Sequence, residues 1–335
     1  MFEKFKIKNW LSLAVLGLMP GLNSCSVGDN NIARANDKPK IVASHSILCD
    51  LVNTIAEDTV DLTCAIDSNQ DPHTYRPTPS LGKAMEQAQL ILYGGYQLEP
   101  QIIQLVKATE TPSPKLAVYE QVVAEPIKQE HHEHHEHEEH EEHEKDRADE
   151  SDSKQLEPDP HVWHDVENVV AMVELIQPML LQFNPSQAEK YLQNSNILTE
   201  QLWQLDSWID EQIATIPESK RTLVTTHDSL NYYVRAYPIV EYQTLQGLTA
   251  DSPSASQVKQ LTTEIKQAGV PTIFVESTSS DRVMNNVARA AGVKLAPDKL
   301  FVDGLGEADN YIEMMSHNTC AIVNGLEGNC QFFNP

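Results

Sequence analysis

Residues 40–67, KIVASHSILCDLVNTIAEDTVDLTCAID, give the strongest indication of the fold. The residues that follow Lys40 have the nearly continuous apolar pattern of a buried strand, and the six residues from Leu51 predict a helix. A second strand is predicted from Asp61 to Asp67. Strand, helix and strand in this order are typical of an α/β lobe with a parallel sheet.

The same alternation continues on both sides of a long polar interruption. Before it, helices are predicted at 81–89 and 98–107, and strands at 90–95 and 115–119. After it, strands and helices alternate again from Thr222 to a last helix at about 309–317. We therefore predict an α/β protein of two lobes, each with a parallel sheet flanked by helices, with no clear sequence repeat between them.

One long rigid helix is predicted to join the lobes. Apolar residues recur at helical spacing from Tyr191 to Ile209, and Asn184 followed by Pro185 is a helix-start signal. At roughly 30 residues, such a helix would be on the order of 45 Å long. The predicted bounds are 40–184 for the N-terminal lobe, 185–216 for the linking helix and 217–335 for the C-terminal lobe.

The first 24 residues have the features of an export signal. Three lysines precede the apolar run Trp10–Met19, which is too short for a stop-transfer helix. The sequence Leu22-Asn-Ser-Cys25 is similar to a bacterial lipoprotein box, which would leave Cys25 lipidated and residues 25–39 as a tether. Cleavage after Ala35 is the alternative. Either way, we expect a periplasmic protein, with membrane anchoring in the first case.

The charge of the chain excludes nucleic acid and favours cations. The net charge is −25, and because residues 1–24 hold three Lys and one Glu, the remainder carries −27. Part of the acidity lies in Glu130–Glu144, EHHEHHEHEEHEEHE, which has no apolar residue. We predict a solvated, disordered loop at about 125–158 whose imidazoles bind zinc weakly. These histidines are His131, His132, His134, His135, His137, His140 and His143.

Four cysteines remain once Cys25 is set aside, and in an exported chain they suggest two disulfides. Three connectivities are possible. Proximity in the sequence favours Cys320 with Cys330 and, less strongly, Cys49 with Cys64, while free and buried thiols stay open for the first pair.

Metal-capable side chains follow several predicted strands, where ligands bind in α/β sheets. His73 and His161 each end an Asp-Pro-His tripeptide, and His227 ends a strand. With Asp303 as the fourth ligand, three imidazoles and one carboxylate form a set suited to Zn²⁺. Two further residues are secondary candidates, Glu276 and His164. A buried, hydrogen-bonded role is expected for His45, and a surface or packing role for His317.

Five ordered motifs resemble the Zn/Mn solute-binding proteins of bacterial ABC importers, over nearly all of residues 40–335. They are Asp71-Pro-His-Thr-Tyr-Arg-Pro-Thr-Pro-Ser, Gly94-Gly-Tyr-Gln-Leu-Glu, Asp159-Pro-His-Val-Trp, Thr225-Thr-His-Asp-Ser and Asp303-Gly-Leu-Gly. The resemblance implies a metal in the cleft between the lobes, with His73 and His161 from the first lobe and His227 and Asp303 from the second. The acidic His-rich insert is similar to that of the zinc-specific branch. The manganese branch tends to have Glu where this chain has His227, and a nitrogen-rich set disfavours Mn²⁺.

The function expected from these observations is capture of Zn²⁺ in the periplasm and its delivery, as transported ligand, to the permease of an ABC importer by a monomeric protein. The alternatives are a manganese-binding relative and an extracytoplasmic metal-buffering or adhesion protein. A metal-dependent hydrolase is disfavoured because three His and one carboxylate leave no open coordination position, and the chain has no HExxH pattern.

Overall fold

The computed structural model describes residues 38–130, 156–248 and 253–334. The predicted signal, Cys25, the alternative cleavage site at Ala35 and most of the predicted His-rich loop lie outside the described residues. So do all seven loop histidines, which are His131, His132, His134, His135, His137, His140 and His143.

The first lobe is built on a four-stranded parallel sheet with the order β2-β1-β3-β4. The strands are β1 (Lys40–Ala43), β2 (Asp61–Cys64), β3 (Leu90–Tyr93) and β4 (Lys115–Ala117). The helices between and after them are α1 (Ser46–Ala56), α2 (Pro79–Gln87), α3 (Pro100–Ala108) and α4 (Val118–Val122). The parallel sheet predicted from strand–helix alternation is confirmed.

The central strand β1 is buried on both faces. Ile41 and Ala43 pack into the main core, whereas Val42 packs on the opposite side with Ile91 and Met85. A parallel strand covered on both faces has no polar side to show, which explains the uninterrupted apolar sequence. Strand β2 lies on one side of β1, and the chain then crosses to place β3 on the other side. The direction of strand addition therefore reverses at β1, which makes this a topological switch point.

The predicted fourth strand, 115–119, is too long by two residues. The strand ends at Ala117, and Val118 begins α4, in which the Tyr119 carbonyl accepts a hydrogen bond from the Val123 N–H at 3.0 Å. The β-favouring Val118 and Tyr119 are thus in a helical turn. Their side chains are fully buried there, and tertiary packing overrides their local preference.

The predicted loop at about 125–158 is also corrected at both ends. Lys128–Glu130 and Leu156–Pro158 form an antiparallel pair, β5 and β6, with Glu130 opposite Leu156. The pairing continues as the Asp159 N–H donates to the Ile127 carbonyl at 2.8 Å. Backbone pairing of this kind needs no apolar side chains, so the polar composition did not indicate it.

Two consecutive helices form the centre of the molecule, α5 (Val166–Phe183) and α6 (Ala188–Ala214). A 3₁₀ turn at Pro185–Gln187 separates them, so the long helix begins three residues later than predicted. Its 27 residues extend over about 40 Å. Because α6 packs on α1 and α5 of the first lobe and on the last helix of the second, it connects the two lobes.

Within the described residues, α5 alone is long and apolar enough to cross a membrane. Val169, Val173 and Ile176 of this helix are buried in the main core, where α5 packs against α6. The packing explains its composition.

The second lobe contains two parallel strand pairs. Strand β7 (Thr222–Thr225) pairs with β8 (Glu241–Thr244), and β9 (Thr272–Ile273) pairs with β10 (Lys294–Leu295). The Phe274 N–H donates to the Val224 carbonyl and so joins the two pairs. The helices are α7 (Asn231–Ala236), α8 (Ala255–Ala268), α9 (Asp281–Ala291) and α10 (Tyr311–Gly325). The last helix extends well beyond the predicted 309–317, and its C-terminal half buries Ile322 and Val323.

Both disulfides favoured by proximity in the sequence are present. Cys49 of α1 is bonded to Cys64 at the end of β2, and Cys320 of α10 is bonded to Cys330. The first disulfide attaches a helix to an edge strand of the sheet, and the second attaches the C-terminal segment to α10.

Candidate metal centre

The fold brings together the four predicted ligands, His73, His161, His227 and Asp303. One ligand atom of each lies within 4.8 Å of the ligand atoms of the other three. From Asp303 Oδ1, the Nε2 atoms of His73, His161 and His227 are 3.7, 3.6 and 3.4 Å away, and the Nε2 atoms of His73 and His161 are 3.3 Å apart. A tetrahedral Zn²⁺ site with bonds of about 2.0–2.1 Å has ligand–ligand distances of about 3.3 Å, so these four atoms fit one ion.

The site is almost closed to solvent. The side chains of His161 and His227 are fully buried, that of Asp303 is 2 % exposed, and that of His73 is 6 % exposed. His227 lies two residues beyond β7, and Asp303 follows Leu300, which bridges to Glu276 beside β9. The second-lobe ligands therefore lie at the carboxyl ends of their strands, where α/β sheets bind ligands.

Both Asp-Pro-His tripeptides form the same local turn. The Asp71 Oδ1 accepts from the His73 N–H at 2.8 Å, and the Asp159 Oδ1 accepts from the His161 N–H at 2.9 Å. An Asp side chain that bonds the backbone two residues ahead makes an Asx turn, and the intervening proline fixes φ within it. The short motif thus sets the direction in which each imidazole leaves the backbone.

Two of the imidazoles are also held by carboxylates. Nδ1 of His161 is 2.8 Å from the Asp159 Oδ1, and Nδ1 of His227 is 2.5 Å from the Glu276 Oε2. Because a carboxylate accepts hydrogen bonds, it favours the tautomer with the proton on Nδ1 and the lone pair on Nε2. Carboxylate–histidine pairs of this kind orient metal ligands and make them more basic.

Charge in the site shifts the pKa values of its members. Burial alone would lower the pKa of His161, but the hydrogen bond from its ring to Asp159 and the nearby carboxylate of Asp303 raise it above its ordinary value. Burial opposes the charge on His227 too, yet Glu276 and Asp303 raise its pKa well above the ordinary value. Burial would raise the pKa of Asp303, but the neighbouring imidazoles, His227 foremost, hold it well below its usual range. A carboxylate thus stays ionised among three imidazoles, which gives the site a negative charge whenever they are neutral.

Two ligand atoms have no hydrogen-bond partner among the described residues, although both are buried. They are Nε2 of His227 and Oδ1 of Asp303. Buried polar atoms are nearly always paired, because an unpaired one forfeits its hydration without compensation. Both atoms belong to the four-atom cluster, so a cation bound there would satisfy them.

The structure does not bring the secondary candidates His164 and Glu276 into this cluster. The ring of His164 is buried with Nε2 2.9 Å from the Val302 carbonyl, and burial lowers its pKa to about 3. Glu276 contacts the Nδ1 side of the His227 ring and accepts a hydrogen bond from the His227 backbone N–H at 2.9 Å.

His45 has the expected buried role, with Nδ1 2.8 Å from the Tyr119 hydroxyl and Nε2 2.9 Å from the Asp303 carbonyl. His317 is half-buried against Phe301, with Nε2 2.9 Å from the Lys299 carbonyl.

Two residues at the site were not predicted. Asp159 holds the His161 ring, and the Thr278 hydroxyl donates to the Asp303 Oδ2 at 2.5 Å. Asp159 could have been found, because it stands two residues before a candidate ligand in a repeated tripeptide. Thr278 has no such signal, since only the return of the chain after β9 places it beside Asp303. With four protein donors around one point, the arrangement could hold one ion in a tetrahedral shell made only of protein ligands.

Comparison with known proteins places the chain among metal-binding components of bacterial importers. The family model described as ZnuA, zinc-uptake complex component A, periplasmic, matches residues 41–325. The manganese-binding lipoprotein MntA of Halalkalibacterium halodurans is 29 % identical over 306 residues, which are 90 % of this chain and 93 % of the relative. The manganese ABC transporter substrate-binding lipoprotein PsaA of Streptococcus anginosus is 29 % identical over 320 residues, 94 % of this chain and 96 % of the relative.

The fold also matches solved structures. The periplasmic zinc binding protein TroA from Treponema pallidum aligns with a TM-score of 0.74 at 28 % identity, over 86 % of this chain and 99 % of TroA. The match confirms the two-lobed α/β fold predicted from the sequence.

Proposed function

This chain belongs to the family of periplasmic zinc-uptake components, and we propose that it captures Zn²⁺ between its lobes and delivers it to the permease of an ABC importer. Members of this family are solute-binding proteins of ABC transport and not enzymes. The metal is therefore cargo. The proposal adds the identity of the ion, the ligand set and the direction of delivery.

The observation that carries the choice of zinc is the composition of the ligand cluster. Three of its four donor atoms are imidazole nitrogens, and the fourth is the Asp303 oxygen. Zn²⁺ accepts four ligands of mixed nitrogen and oxygen type in a tetrahedron, whereas Mn²⁺ prefers more oxygen ligands in an octahedron. His227 contributes a nitrogen to the set, and Glu276 raises the basicity of that nitrogen.

Manganese is the second candidate, because relatives of similar identity are named for it. A Mn²⁺ ion in the same cleft would need oxygen ligands beyond Asp303. Glu276 is one further carboxylate beside the cluster, and both of its oxygens are engaged with His227. Recruiting Glu276 as such a ligand would break three hydrogen bonds, from the His227 N–H, the His227 ring and the Ser279 hydroxyl.

Competition between the two metals tests the proposal. The His-rich segment would obscure the result, so residues 131–155 are replaced by Asn-Gly, a two-residue turn that suits the antiparallel pair ending at Glu130 and Leu156. This variant, which we call the loop-replaced protein, is titrated with Zn²⁺ in the presence of excess Mn²⁺. We expect one tight zinc site per chain that Mn²⁺ does not displace.

The ligand assignment is checked with a matched pair of substitutions. His227→Ala should weaken the tight site strongly, whereas His317→Ala, which removes an imidazole from the same lobe outside the cluster, should leave it intact. Displacement of zinc by Mn²⁺ in the loop-replaced protein would refute the choice of zinc and identify manganese as the ion that the protein carries. Retention of tight zinc binding by His227→Ala would refute the ligand set.

Delivery rests on the architecture around α6. A continuous helix of 27 residues packed on both lobes resists a wide hinge motion, so we propose that zinc binding shifts the lobes modestly and that the permease recognises the loaded form. We further propose that the protein acts as a monomer anchored through Cys25. Palmitate labelling of the wild-type chain in a bacterial host, compared with Cys25→Ser, checks the anchor.

A further inference from the structure

The ligand Asp303 lies in a short segment of the second lobe that is bonded to the first lobe along its length. The Val302 carbonyl is 2.9 Å from Nε2 of His164, and the Asp303 carbonyl is 2.9 Å from Nε2 of His45. The Leu305 N–H donates to the Ser46 hydroxyl at 3.1 Å. These contacts join residues more than 130 positions apart in the sequence, directly beside the metal site.

The direction of both imidazole bonds is fixed by their partners. A backbone carbonyl can only accept, so Nε2 of His45 and Nε2 of His164 must both carry the proton. Nδ1 of His45 then accepts from the Tyr119 hydroxyl at 2.8 Å, so both ring nitrogens of His45 are satisfied. Both rings are fully buried. His164 donates to the carbonyl of Val302, the residue before the ligand, and His45 donates to the carbonyl of the ligand Asp303 itself.

Gly304 shows how closely the segment approaches the first lobe. A Cβ atom at this position would lie 2.8 Å from the Ser46 hydroxyl oxygen and 2.9 Å from the Ser68 carbonyl oxygen. Gly306, two residues further on, adopts a φ of +63° and donates its N–H to the same Ser68 carbonyl at 3.0 Å. The Asp303-Gly-Leu-Gly motif is therefore shaped to lie on the first lobe, because its glycines permit the close approach and the left-handed turn.

The other second-lobe ligand, His227, is held differently. Its ring is bonded to Glu276, its N–H to the same carboxylate, and its carbonyl to the hydroxyls of Thr225 and Tyr242. All of these partners belong to the second lobe. Among the residues that the structure describes, Thr278 makes the one hydrogen bond from the second lobe to the Asp303 side chain.

We propose that His45 and His164 are positioning residues that hold Asp303 on the first lobe beside His73 and His161, so that the first lobe presents three ligands and His227 completes the site. The inference rests on the proposed metal-binding function, since it assigns a role within the same site. Neither positioning residue contacts the ion. Each acts through the backbone of the ligand segment, as outer partners do at other metal sites.

The test measures zinc affinity by chelator competition and zinc dissociation by stopped flow, in the loop-replaced protein and again in the full chain. His45→Leu removes the donor but keeps an apolar side chain, and we expect it to weaken zinc binding about 10–100-fold with faster dissociation. His45→Gln can still place an N–H near the Asp303 carbonyl and should recover most of the loss. His317→Leu is the matched control, because it removes an imidazole–carbonyl bond to Lys299 within the second lobe, and it should leave both quantities unchanged.

A double-mutant cycle separates positioning from a general effect on the fold. If His45 acts through Asp303, His45→Leu should have no further effect on zinc affinity once Asp303→Ala has removed the ligand. An equal loss in both backgrounds would overturn the inference, and so would unchanged binding by His45→Leu. If Asp303→Ala itself leaves zinc binding intact, the proposed site fails as well. Should His45→Leu not fold, His164→Leu and Ser46→Ala are carried through the same cycle with the same two outcomes.

Discussion

The two Asp-Pro-His tripeptides have the same sequence and the same backbone turn, yet their histidines are held in different ways. His161 is fully buried, and its ring is bonded to Asp159, which in turn accepts from the Asn231 amide at 3.0 Å. His73 is slightly exposed, and no partner for its Nδ1 is found in the part of the chain that the structure describes. Asp71, which corresponds in the first tripeptide to Asp159 in the second, accepts a hydrogen bond from the Thr74 hydroxyl and none from the His73 ring.

The tripeptide motif thus sets the direction of a ligand but not its rigidity. Direction comes from the Asx turn, which is local. Rigidity comes from Asn231 and the other second-lobe groups packed around Asp159, which are remote in sequence. We infer that His161 is a fixed ligand and that His73 is the adjustable one on the solvent side of the cleft.

The largest expected effect is that of removing the fixed ligand. His161→Ala should weaken zinc binding by more than the roughly 10–100-fold that loss of an outer partner costs, because one of four donors disappears. It should also lower the free energy of unfolding of the metal-free protein by about 1–3 kcal/mol, since buried Asp159 loses its ring partner. His73→Ala should weaken zinc binding with little change in metal-free stability. Chelator competition and urea denaturation check both, and equal stability losses for the two variants would contradict the distinction.

The next effect concerns the two carboxylates. Asp159→Asn should weaken zinc binding about 10–100-fold, because the amide no longer orients the ring with a charge-assisted bond. Asp71→Asn should change it far less, since Asn can still accept the His73 N–H in an Asx turn. Isothermal titration of the loop-replaced protein measures both. A larger loss for Asp71→Asn would reverse the assignment of fixed and adjustable ligands.

The pH dependence should follow the two histidines whose pKa values are raised, His161 and His227. The pKa values of His161 and His227 are raised in the metal-free protein. Protons therefore begin to compete with zinc at a pH above about 6.5, the ordinary imidazole pKa, and compete more strongly as the pH falls. Zinc affinity should therefore fall as the pH falls through that raised range. The free energy of unfolding of the metal-free protein should change in the opposite direction. A histidine whose pKa is raised by folding stabilises the protein at a pH below its pKa in the unfolded chain, and this stabilisation is lost as the pH rises through its pKa in the folded protein. Asp159→Asn should move the loss of zinc binding to lower pH, which titrations between pH 5 and 9 would reveal.

The smallest effect on zinc is expected from the disulfide that precedes His73 in the chain. Replacing Cys49 and Cys64 by Ser should lower the free energy of unfolding by about 3 kcal/mol, because the bond closes a loop of about 15 residues. Zinc affinity should barely change, since the turn at His73 is made by Asp71. Thermal unfolding with and without zinc measures both quantities. A large loss of zinc affinity would show that β2, and not the Asx turn, positions His73.

Much of the fold could be read from the sequence, because buried parallel strands and amphipathic helices have distinct periodicities. Residues 40–67 already contained the strand–helix–strand unit, and the alternation predicted from Thr222 onwards is present as strands β7–β10 and helices α7–α10. The four candidate ligands could be predicted for a related reason, since strand ends and the two tripeptides mark where side chains converge. The family resemblance rested on the same motifs and is confirmed by the family match over residues 41–325.

What the sequence could not supply depends on contacts between distant residues. The pairing of Lys128–Glu130 with Leu156–Pro158 is a backbone interaction across a polar segment, and Val118 and Tyr119 adopt a helical turn against their local preference. The contact of His45 with the Asp303 carbonyl joins the two lobes and has no local signature. For the same reason, nothing in the two tripeptides distinguished the fixed histidine from the adjustable one.

The most direct test of the four-ligand site is X-ray absorption spectroscopy of the loop-replaced protein loaded with one equivalent of Zn²⁺. The structure predicts a four-coordinate ion with three imidazole nitrogens and one carboxylate oxygen at about 2.0–2.1 Å. His227→Ala should reduce the imidazole contribution by one third. A six-coordinate oxygen shell, or an imidazole contribution that His227→Ala leaves unchanged, would contradict the assignment.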